Sequence, residues 1–233
     1  MSKKKVWVIS LGGSVIVPDD VDVRFLKRFK NLIEELSKNN KFVIVCGGGI
    51  TARKYISALK SLSGRYGKNL EKNLSLLGIA STRLNARLVS FIFGIERELP
   101  RDMEDVKTRC FKNDIVVCGA LRYKEKETSD GTAAKLARFL NTDFINLTNV
   151  SGLYDKNPLK YKKARFIKRI GWREFYRMAS KLKYKPGQHF VLDQSAAKII
   201  MKYKIKTYLL GKELKNLQNL IEGRNFFGSV IEG

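Results

Sequence analysis

Residues 41–59 read KFVIVCGGGITARKYISAL, an apolar run followed by three glycines and a helix-forming segment. The run 42–46 predicts a buried strand, because a short apolar run that ends in glycine is typical of one. Three consecutive glycines let the backbone approach a ligand closely, and the helix that follows offers free N–H groups at its start. The stretch therefore predicts an anion site, most often for phosphate, although a tight turn without a ligand remains the alternative. Arg53, near the helix start, would add a guanidinium that grips phosphate oxygens.

A second strand with the same kind of ending lies near the start of the chain. The apolar run 6–11 is followed by Gly12, Gly13 and Ser14, and the segment 22–36 carries apolar residues at spacings of three and four. That spacing predicts an amphipathic helix between the two strands. Strands and helices that alternate in this way form parallel sheets, which bind ligands outside the carboxyl ends of their strands. The two glycine turns are therefore expected to face one site.

The rest of the chain continues the pattern of alternating strands and helices. Further strands are expected at 114–120, 144–147, 206–211 and 228–231, the last as an edge strand of the sheet. We expect helices at 74–92, 132–140, 172–181, 195–202 and 214–221, a mobile loop at 60–73, a polar loop at 148–158 and a turn at 186–187.

The charge of the chain favours anionic partners. It has 46 Lys and Arg residues against 22 Asp and Glu residues, a formal net charge of +24. Nucleotides, nucleic acids and acidic membranes are all anionic. Because the lysines are spread along the chain rather than gathered in one segment, a solvated basic surface is favoured over a nucleic-acid patch.

The cysteines and the apolar runs bear on the compartment. The three cysteines show no CxxC or Cys/His spacing, which favours buried thiols over a disulfide framework or a zinc site. No apolar run approaches the ~18 residues of a membrane span, and the first residues do not read as a signal peptide. We therefore expect a cytoplasmic protein without a membrane partner.

Six short motifs follow one another along the chain. They lie at 11–15, 46–49 with 52–55, 78–79 with 82–86, 128–130 with 133–134, 147–150 with 152–154, and 196–200. Their order resembles the amino acid kinase superfamily, and within it the archaeal-type UMP kinase branch. The resemblance covers nearly the whole chain and implies a three-layer α/β/α sandwich with a mainly parallel central sheet, a fold of class α/β. It also implies one domain over residues 1–233, with an acceptor-binding lobe at about 1–140 and an ATP-binding lobe at about 141–233. Members are typically homo-oligomers, commonly hexamers.

The activity that the resemblance implies is transfer of the ATP γ-phosphoryl group to UMP, a step of pyrimidine nucleotide biosynthesis. Mg²⁺ is expected as a cofactor carried with ATP, and no side chain is assigned to it. A phosphate acceptor is already an anionic nucleophile at neutral pH, so it needs no general base, and catalysis consists of positioning and charge neutralisation. The presence of only one histidine, His189, therefore does not count against this activity.

The resemblance also implies a set of site residues. Arg53 is expected to lie between the two phosphates, Asp130 to orient cationic groups, and Lys198 to neutralise charge on the transferred group, which makes these three the catalytic candidates. The expected ATP-binding residues are Gly12, Gly13, Ser14, Gly49, Arg53, Thr148, Tyr154 and Asn157. The expected UMP-binding residues are Gly48, Ser75, Thr128 and Ser129.

Several positions depart from the family pattern. Ser10 stands where many superfamily members have a lysine, and Ser75 stands where the UMP kinase pattern has an aspartate. The acceptor loop 120–127 lacks the usual glycine and proline, and Asn157 replaces an aspartate. These differences leave open an enzyme of the same fold that phosphorylates another phosphate or a carboxylate.

Three rival hypotheses come from other classes. The glycines at 47 and 49 with Ala52 also match a dinucleotide-binding fingerprint. That fingerprint requires an acidic residue at the end of the next strand, about twenty residues further on, and the sequence predicts no strand there. A P-loop NTPase is disfavoured because the chain has no G-x-x-x-x-G-K-[ST] motif. A non-enzymatic nucleotide sensor that binds nucleic acid would require a clustered basic face.

Overall fold

A computed structural model of the chain describes residues 4–62, 69–121, 128–158, 160–181 and 192–233. The predicted turn at 186–187, residues 122–127 of the acceptor loop and residues 63–68 of the predicted loop 60–73 lie outside the described residues.

Strands and helices alternate along the described chain. The strands are β1 (Lys5–Leu11), β2 (Asn40–Cys46), β3 (Ile115–Cys118), β4 (Phe144–Leu147), β5 (Leu153–Tyr154), β6 (Phe166–Ile167), β7 (Arg169–Ile170), β8 (Thr207–Leu210) and β9 (Ser229–Ile231). The helices are α1 (Gly13–Ile16), α2 (Val23–Leu36), α3 (Gly49–Leu62), α4 (Leu70–Ile92), α5 (Met103–Lys112), α6 (Ser129–Phe139), α7 (Trp172–Lys181), α8 (Gln194–Tyr203) and α9 (Leu214–Ile221).

Seven of these strands form one sheet in the order β3-β2-β1-β4-β8-β9-β7. The pairs from β3 to β8 are all parallel, β9 runs antiparallel to β8, and β7 is parallel to β9. β5 and β6 form a separate two-stranded antiparallel sheet. The mainly parallel sheet expected from the sequence is therefore confirmed.

Helices cover both faces of the sheet because successive side chains of a strand point to opposite faces. Trp7, Ile9 and Leu11 of β1 pack with apolar residues of α2 and α9, and Val8 packs on the other face with residues of α6, α7 and α8. The buried strands read as continuous apolar runs for this reason, as strands of parallel sheets do. The result is the three-layer α/β/α sandwich.

The structure corrects three local predictions. In the described parts of the loop expected at 60–73, residues 60–62 and 70–73 are helical, since α3 continues to Leu62 and α4 begins at Leu70. α5 was not predicted, because only Val106 and Cys110 of its residues are buried and its sequence is otherwise mostly polar. β9 is not an edge strand, since β7 pairs beyond it.

The cysteines are buried free thiols, as expected. Burial raises the pKa of the Cys118 thiol to about 12, so this thiol is unreactive near neutral pH. No helix in the described ranges is long and apolar enough to cross a membrane.

Candidate phosphate-transfer site

The carboxyl ends of five parallel strands meet at one edge of the sheet. The strand register pairs Leu11 with both Cys46 and Leu147, and Leu147 with Leu210. Cys118 ends the fifth strand opposite Val45. Four of the five strands are followed directly by glycine and the fifth, β4, by threonine; these residues are Gly12, Gly47, Gly119, Thr148 and Gly211. This edge is where ligands bind in open α/β sheets.

The two glycine turns of the N-terminal half cross in backbone contact. A Cβ on Gly13 would lie 1.9 Å from the Gly49 nitrogen, and a Cβ on Gly47 would lie 2.4 Å from the Gly13 nitrogen. Gly49 also has φ of +62°, a conformation that favours glycine. The two turns therefore meet at the same edge of the sheet, and their crossing leaves no room for a side chain at Gly13, Gly47 or Gly49.

Each turn leads into a helix that begins at the crossing. α1 begins at Gly13 with Gly12 as its N-cap, and Ser14 lies in its first turn. α3 begins at Gly49, so its first backbone N–H groups lie at the crossing. Of these, the Ile50 N–H donates to the Val17 carbonyl oxygen, and the Ala52 N–H donates to the Gly48 carbonyl oxygen. Arg53 is on the first turns of α3 and is exposed, and within the described chain it has no ion-pair partner. A cation is thus available beside a helix start that favours anions.

α4 fixes the glycine turn of β2 from the side. Asn85 is buried and its amide donates to the Gly47 carbonyl oxygen at 2.7 Å, and the Thr82 hydroxyl accepts from the Ala120 N–H at 2.9 Å. Arg83 donates to the Pro100 and Ala120 carbonyl oxygens. Arg83 is therefore half-buried against these two loops. Polar residues of a helix here hold the loops after β2 and β3.

The expected UMP residues on this side lie around the same turn. A Cβ on Gly48 would lie 3.5 Å from the Cβ of Ser81 and 3.7 Å from the Gly78 carbonyl oxygen, so Gly48 packs on α4. Ser75 lies one turn before Gly78, and its hydroxyl donates to the Glu71 carbonyl oxygen of the same helix.

The expected adenine-nucleotide residues lie beside β1 on its other flank. Thr148 is close to Gly12, where an added Cβ would be 3.6 Å from the Thr148 Cα. Tyr154 is half-buried on β5, with its ring edge-on to Phe166 at 5.3 Å between centroids. Phe166 in turn stacks on Phe227 at 4.7 Å. Asn157 is half-buried in the loop after β5, where its carbonyl oxygen accepts from the N–H groups of Lys160 and Tyr161.

A cluster of hydroxyl and carboxyl groups lies at the starts of α6 and α8. The Ser10 hydroxyl, at the end of β1, donates to Asp130 Oδ1 at 2.7 Å. Thr128 caps α6 through its hydroxyl oxygen, which accepts from the Gly131 N–H at 3.0 Å. The same Thr128 hydroxyl donates to Asp193, which caps α8. The two helix caps are therefore joined by one hydrogen bond.

Burial has the largest effect on the pKa of the Asp130 carboxyl. Burial and the nearby Asp193 carboxylate raise the pKa of Asp130 to about 7, against the opposing effect of the Ser10 hydrogen bond. A strongly shifted acid in a cleft is typical of functional sites. Lys198 of α8 is exposed, and no ion-pair partner for it is found among the described residues.

The structure thus brings Gly12, Gly13, Gly48, Gly49 and Thr148 to one edge of the sheet and ties Asp130 to β1. Sequence reasoning did not single out Asn85 or Asp193, although both were readable as polar residues: Asn85 inside an apolar helix face and Asp193 directly before a helix. Ser129 is half-buried in the first turn of α6 beside these groups. The roles of all these site residues remain predictions.

Fold and site together define a class: a mainly parallel α/β protein with glycine turns at the sheet edge where ligands bind and a half-buried carboxyl beside them. The family model described as the amino acid kinase family matches residues 5–211. The chain belongs to this family, as the order of its motifs predicted.

Curated relatives match over nearly their whole length. A uridylate kinase of Thermoplasma volcanium is 38% identical over 228 residues, which covers 97% of each chain. A uridylate kinase of Archaeoglobus fulgidus is 34% identical over 226 residues, 96% of this chain and 98% of the relative.

Solved structures agree with the fold. The crystal structure of uridylate kinase from Archaeoglobus fulgidus superposes with a TM-score of 0.81 at 33% identity and covers 97% of this chain and 99% of that one. A UMP kinase structure from Ureaplasma parvum, at 20% identity, has a TM-score of 0.76 over 99% of this chain and all of that one, which speaks to the fold alone.

Proposed function

We propose that the protein is an ATP-dependent UMP kinase that transfers the γ-phosphoryl group of ATP to UMP and releases ADP and UDP. The observation that carries the proposal is the crossing of the Gly12–Gly13 and Gly47–Gly49 turns at the carboxyl edge of the sheet. Glycine backbone forms that crossing with no side chain between the two turns, so two phosphate groups could approach each other beside it. The full-length similarity to archaeal uridylate kinases favours UMP over the other acceptors that the departures at Ser75 and 120–127 left open.

In the proposed reaction a phosphate oxygen of UMP attacks the γ-phosphorus of ATP. The new P–O bond forms as the bond from the γ-phosphorus to the β,γ-bridging oxygen breaks, and the bond electrons leave with ADP. The acceptor oxygen is already anionic, so no side chain has to remove a proton. The chain's part is to align the two phosphates in line and to offset their charge.

The roles of the site residues follow the two flanks of the glycine crossing. Gly12, Gly13, Ser14 and Gly49 would hold the ATP phosphates, with Thr148, Tyr154 and Asn157 on the adenine-nucleotide side. Gly48, Ser75, Thr128 and Ser129 would bind UMP. Arg53 and Lys198 are the exposed cations available to the phosphates, and Asp130 would orient cationic groups. The chain would divide into an acceptor lobe at about 1–140 and an ATP lobe at about 141–233, with the Gly12–Ser14 and Gly47–Gly49 turns of the first lobe reaching the ATP phosphates.

Mg²⁺ is proposed to enter as part of the ATP complex. Across the described ranges, no group of three or more His, Cys, Asp or Glu side chains is gathered where it could hold a metal ion. Mg²⁺ is commonly held mainly by substrate phosphates and water, and such binding needs few protein ligands. When bound, the ion would offset charge on the β- and γ-phosphates.

We also propose that the protein is a cytoplasmic homo-oligomer, a hexamer by resemblance. Apolar side chains are exposed on α3 and α4 at seven-residue spacing: Tyr55 and Leu62 on α3, and Leu84 and Phe91 on α4. Residues seven apart lie on one face of a helix, and an exposed apolar face of this kind favours self-association. Light scattering after size exclusion tests the state, and L84D with F91D should lower the mass. A monomeric wild type would contradict this.

The reaction is tested by ADP release from ATP and Mg²⁺ with UMP, CMP, AMP, isopentenyl phosphate, acetylglutamate and aspartate as separate acceptors. Selective turnover of UMP is expected. Preference for another acceptor would keep the fold assignment and overturn the substrate, while ATP binding without any turnover would favour a nucleotide sensor.

A further inference from the structure

Ser10 lies in the middle of the sheet, next to the glycine turn of β1. It is fully buried, and it shares with Val8 the face of the sheet that α6 covers. Its hydroxyl donates to Asp130 Oδ1 at 2.7 Å, a length typical of a hydrogen bond from a hydroxyl to a carboxylate. A buried strand residue therefore contacts a carboxyl at the start of the neighbouring helix through a neutral donor.

Asp193 approaches the same place from α8. Its Oδ1 accepts from the backbone N–H groups of Ser195 at 2.7 Å and Ala196 at 3.0 Å, and its Oδ2 accepts from the Thr128 hydroxyl. These three donors fix the Asp193 carboxyl in place at the start of α8. The start of α6 also packs directly on this helix start, since a Cβ on Gly131 would be 3.5 Å from the Ser195 hydroxyl oxygen.

Among the charged groups of the described chain, Asp193 is the one whose charge raises the pKa of Asp130. The elements that pack against α6 are β1, β2, β4 and α8. Lys5 of β1 pairs with Asp143, and Lys41 of β2 binds carbonyl oxygens after α5, both at the amino-terminal edge. Cys46 of β2 is a buried thiol, and β4 carries no ionisable group. On α8 the ionisable groups are Lys198, Lys202 and Tyr203, and all three are exposed. α6 itself also carries the half-buried Lys135 and the exposed Arg138.

We propose that Ser10 and Asp193 are opposed positioning residues for Asp130: the Ser10 hydroxyl stabilises the Asp130 carboxylate, and the Asp193 carboxylate destabilises it across the joined starts of α6 and α8. The proposal rests on the proposed phosphoryl transfer, in which the ionised Asp130 orients cations at the transferring phosphate. A neutral donor offsets the charge of Asp130 less than a lysine at position 10 would, so ionisation of Asp130 is left sensitive to pH near neutrality.

The first test is the pH dependence of kcat/KM for UMP in S10A, S10T and D193N. Loss of the hydroxyl in S10A should move the acid limb to higher pH by about one unit, because the Asp130 carboxylate loses a stabilising donor. D193N should move it to lower pH, because asparagine removes the charge and still caps α8. S10T keeps a hydroxyl and should restore the wild-type limb.

Subtraction of the wild-type profile isolates the effect, because the phosphates of ATP and UMP titrate identically in every variant. Opposite shifts in S10A and D193N support the proposal. Lower turnover in S10A by one factor at all pH values, with no shift in either variant, would overturn it in favour of a purely structural role. If S10A does not fold, the direction of the D193N shift decides.

A second readout does not need turnover. The carboxyl ¹³C signals of the protein labelled at aspartate, with Asp130 assigned by D130N, should titrate near pH 7 in wild type and at lower pH in D193N. If this shift is found while no acceptor is phosphorylated, the proposed reaction fails and the electrostatic assignment stands. If Asp130 titrates at the same pH in both proteins, the assignment is wrong whatever the activity.

Discussion

The carboxyl edge of the sheet is built in two different ways on its two faces. At the ends of β1 and β2 the chain uses backbone, with Gly13 and Gly49 so close that an added Cβ would lie 1.9 Å from a nitrogen. At the starts of α6 and α8 it uses side chains: the Ser10 hydroxyl donates to Asp130, and the Thr128 hydroxyl donates to Asp193. The first region depends on glycines that lack a Cβ, and the second depends on whether its carboxyl groups are protonated.

The difference teaches where each region is sensitive. A backbone crossing has no rotamers with which to absorb an extra atom, so it should fail through the fold. A hydroxyl and carboxyl cluster accepts isosteric replacements, so it should respond through charge and pH.

The largest expected effect is on the backbone region. G13A should lower the free energy of unfolding by about 3 kcal/mol or more and abolish activity, because its Cβ meets the Gly49 backbone. Urea unfolding measures the change. The matched control is G78A inside α4, where the added Cβ would have only Ile56 Cδ1 near it, at 3.9 Å. This substitution should raise the free energy of unfolding by roughly 0.5–1 kcal/mol, because alanine favours a helix more than glycine does. Similar stability of both variants would contradict the crossing.

Next in size is the cation beside that crossing. R53A should reduce kcat by about 10²–10³-fold with the fold intact, because an exposed guanidinium contributes little to the core and much to a phosphate's charge. Steady-state kinetics with circular dichroism checks both parts. K60A, at the exposed far end of the same helix, should remain within about twofold of wild type. A folded R53A enzyme with normal turnover removes Arg53 from the site.

The carboxyl cluster should show its effect as pH-dependent stability. The folded pKa of Asp130 is raised to about 7 from 3.8, so its stabilising contribution is present below pH 3.8 and is lost as pH rises through 7. D130N does not titrate and should therefore be more stable than wild type at pH 8, on the order of 1–3 kcal/mol, and equal to it near pH 4. Denaturant unfolding at both values measures this, with exposed D19N as control. Equal stability at pH 8 would refute it.

The smallest expected effect sharpens the contrast with an exposed helix start. Asp22 caps α2 by accepting from the Phe25 N–H, and that bond, with Lys212, lowers the pKa of Asp22. Its contribution is present above pH 3.8 and is lost as pH falls through the lowered pKa, the opposite sense to Asp130. D22A should cost roughly 0.5–1 kcal/mol at pH 7, whereas D22N should cost less, because asparagine also caps. Thermal unfolding of the pair provides the measurement.

Much of the fold was readable from periodicity. The buried strands stood out because strands covered on both faces are apolar throughout, and α2, α7 and α9 had apolar faces at helical spacing. α5 and the first turns of α4 were missed for the converse reason: they bury few side chains, so their sequences resemble polar loops. The inner position of β9 depends on pairing with β7, a two-residue strand that leaves no pattern of its own.

The candidate site divides in the same way. Glycines directly after strands predicted that two turns would share one edge, and the alignment of Leu11 with Cys46 and Leu147 confirms the geometry behind that prediction. The buried bond from Asn85 to the Gly47 carbonyl, and the bond from Thr128 to Asp193, join residues far apart in the chain. No local pattern announces such contacts.

The sequence by itself determined the parallel α/β architecture, the two glycine turns and the family, because these depend on local properties: apolar periodicity, the absence of a Cβ and the order of short motifs. Only the tertiary structure decided that the turns cross in contact, that Arg83 binds loop carbonyls and that Asp130 lies between a hydroxyl and a second carboxylate. A pKa depends on burial and on charges brought together from distant segments, and these exist only once the chain has packed.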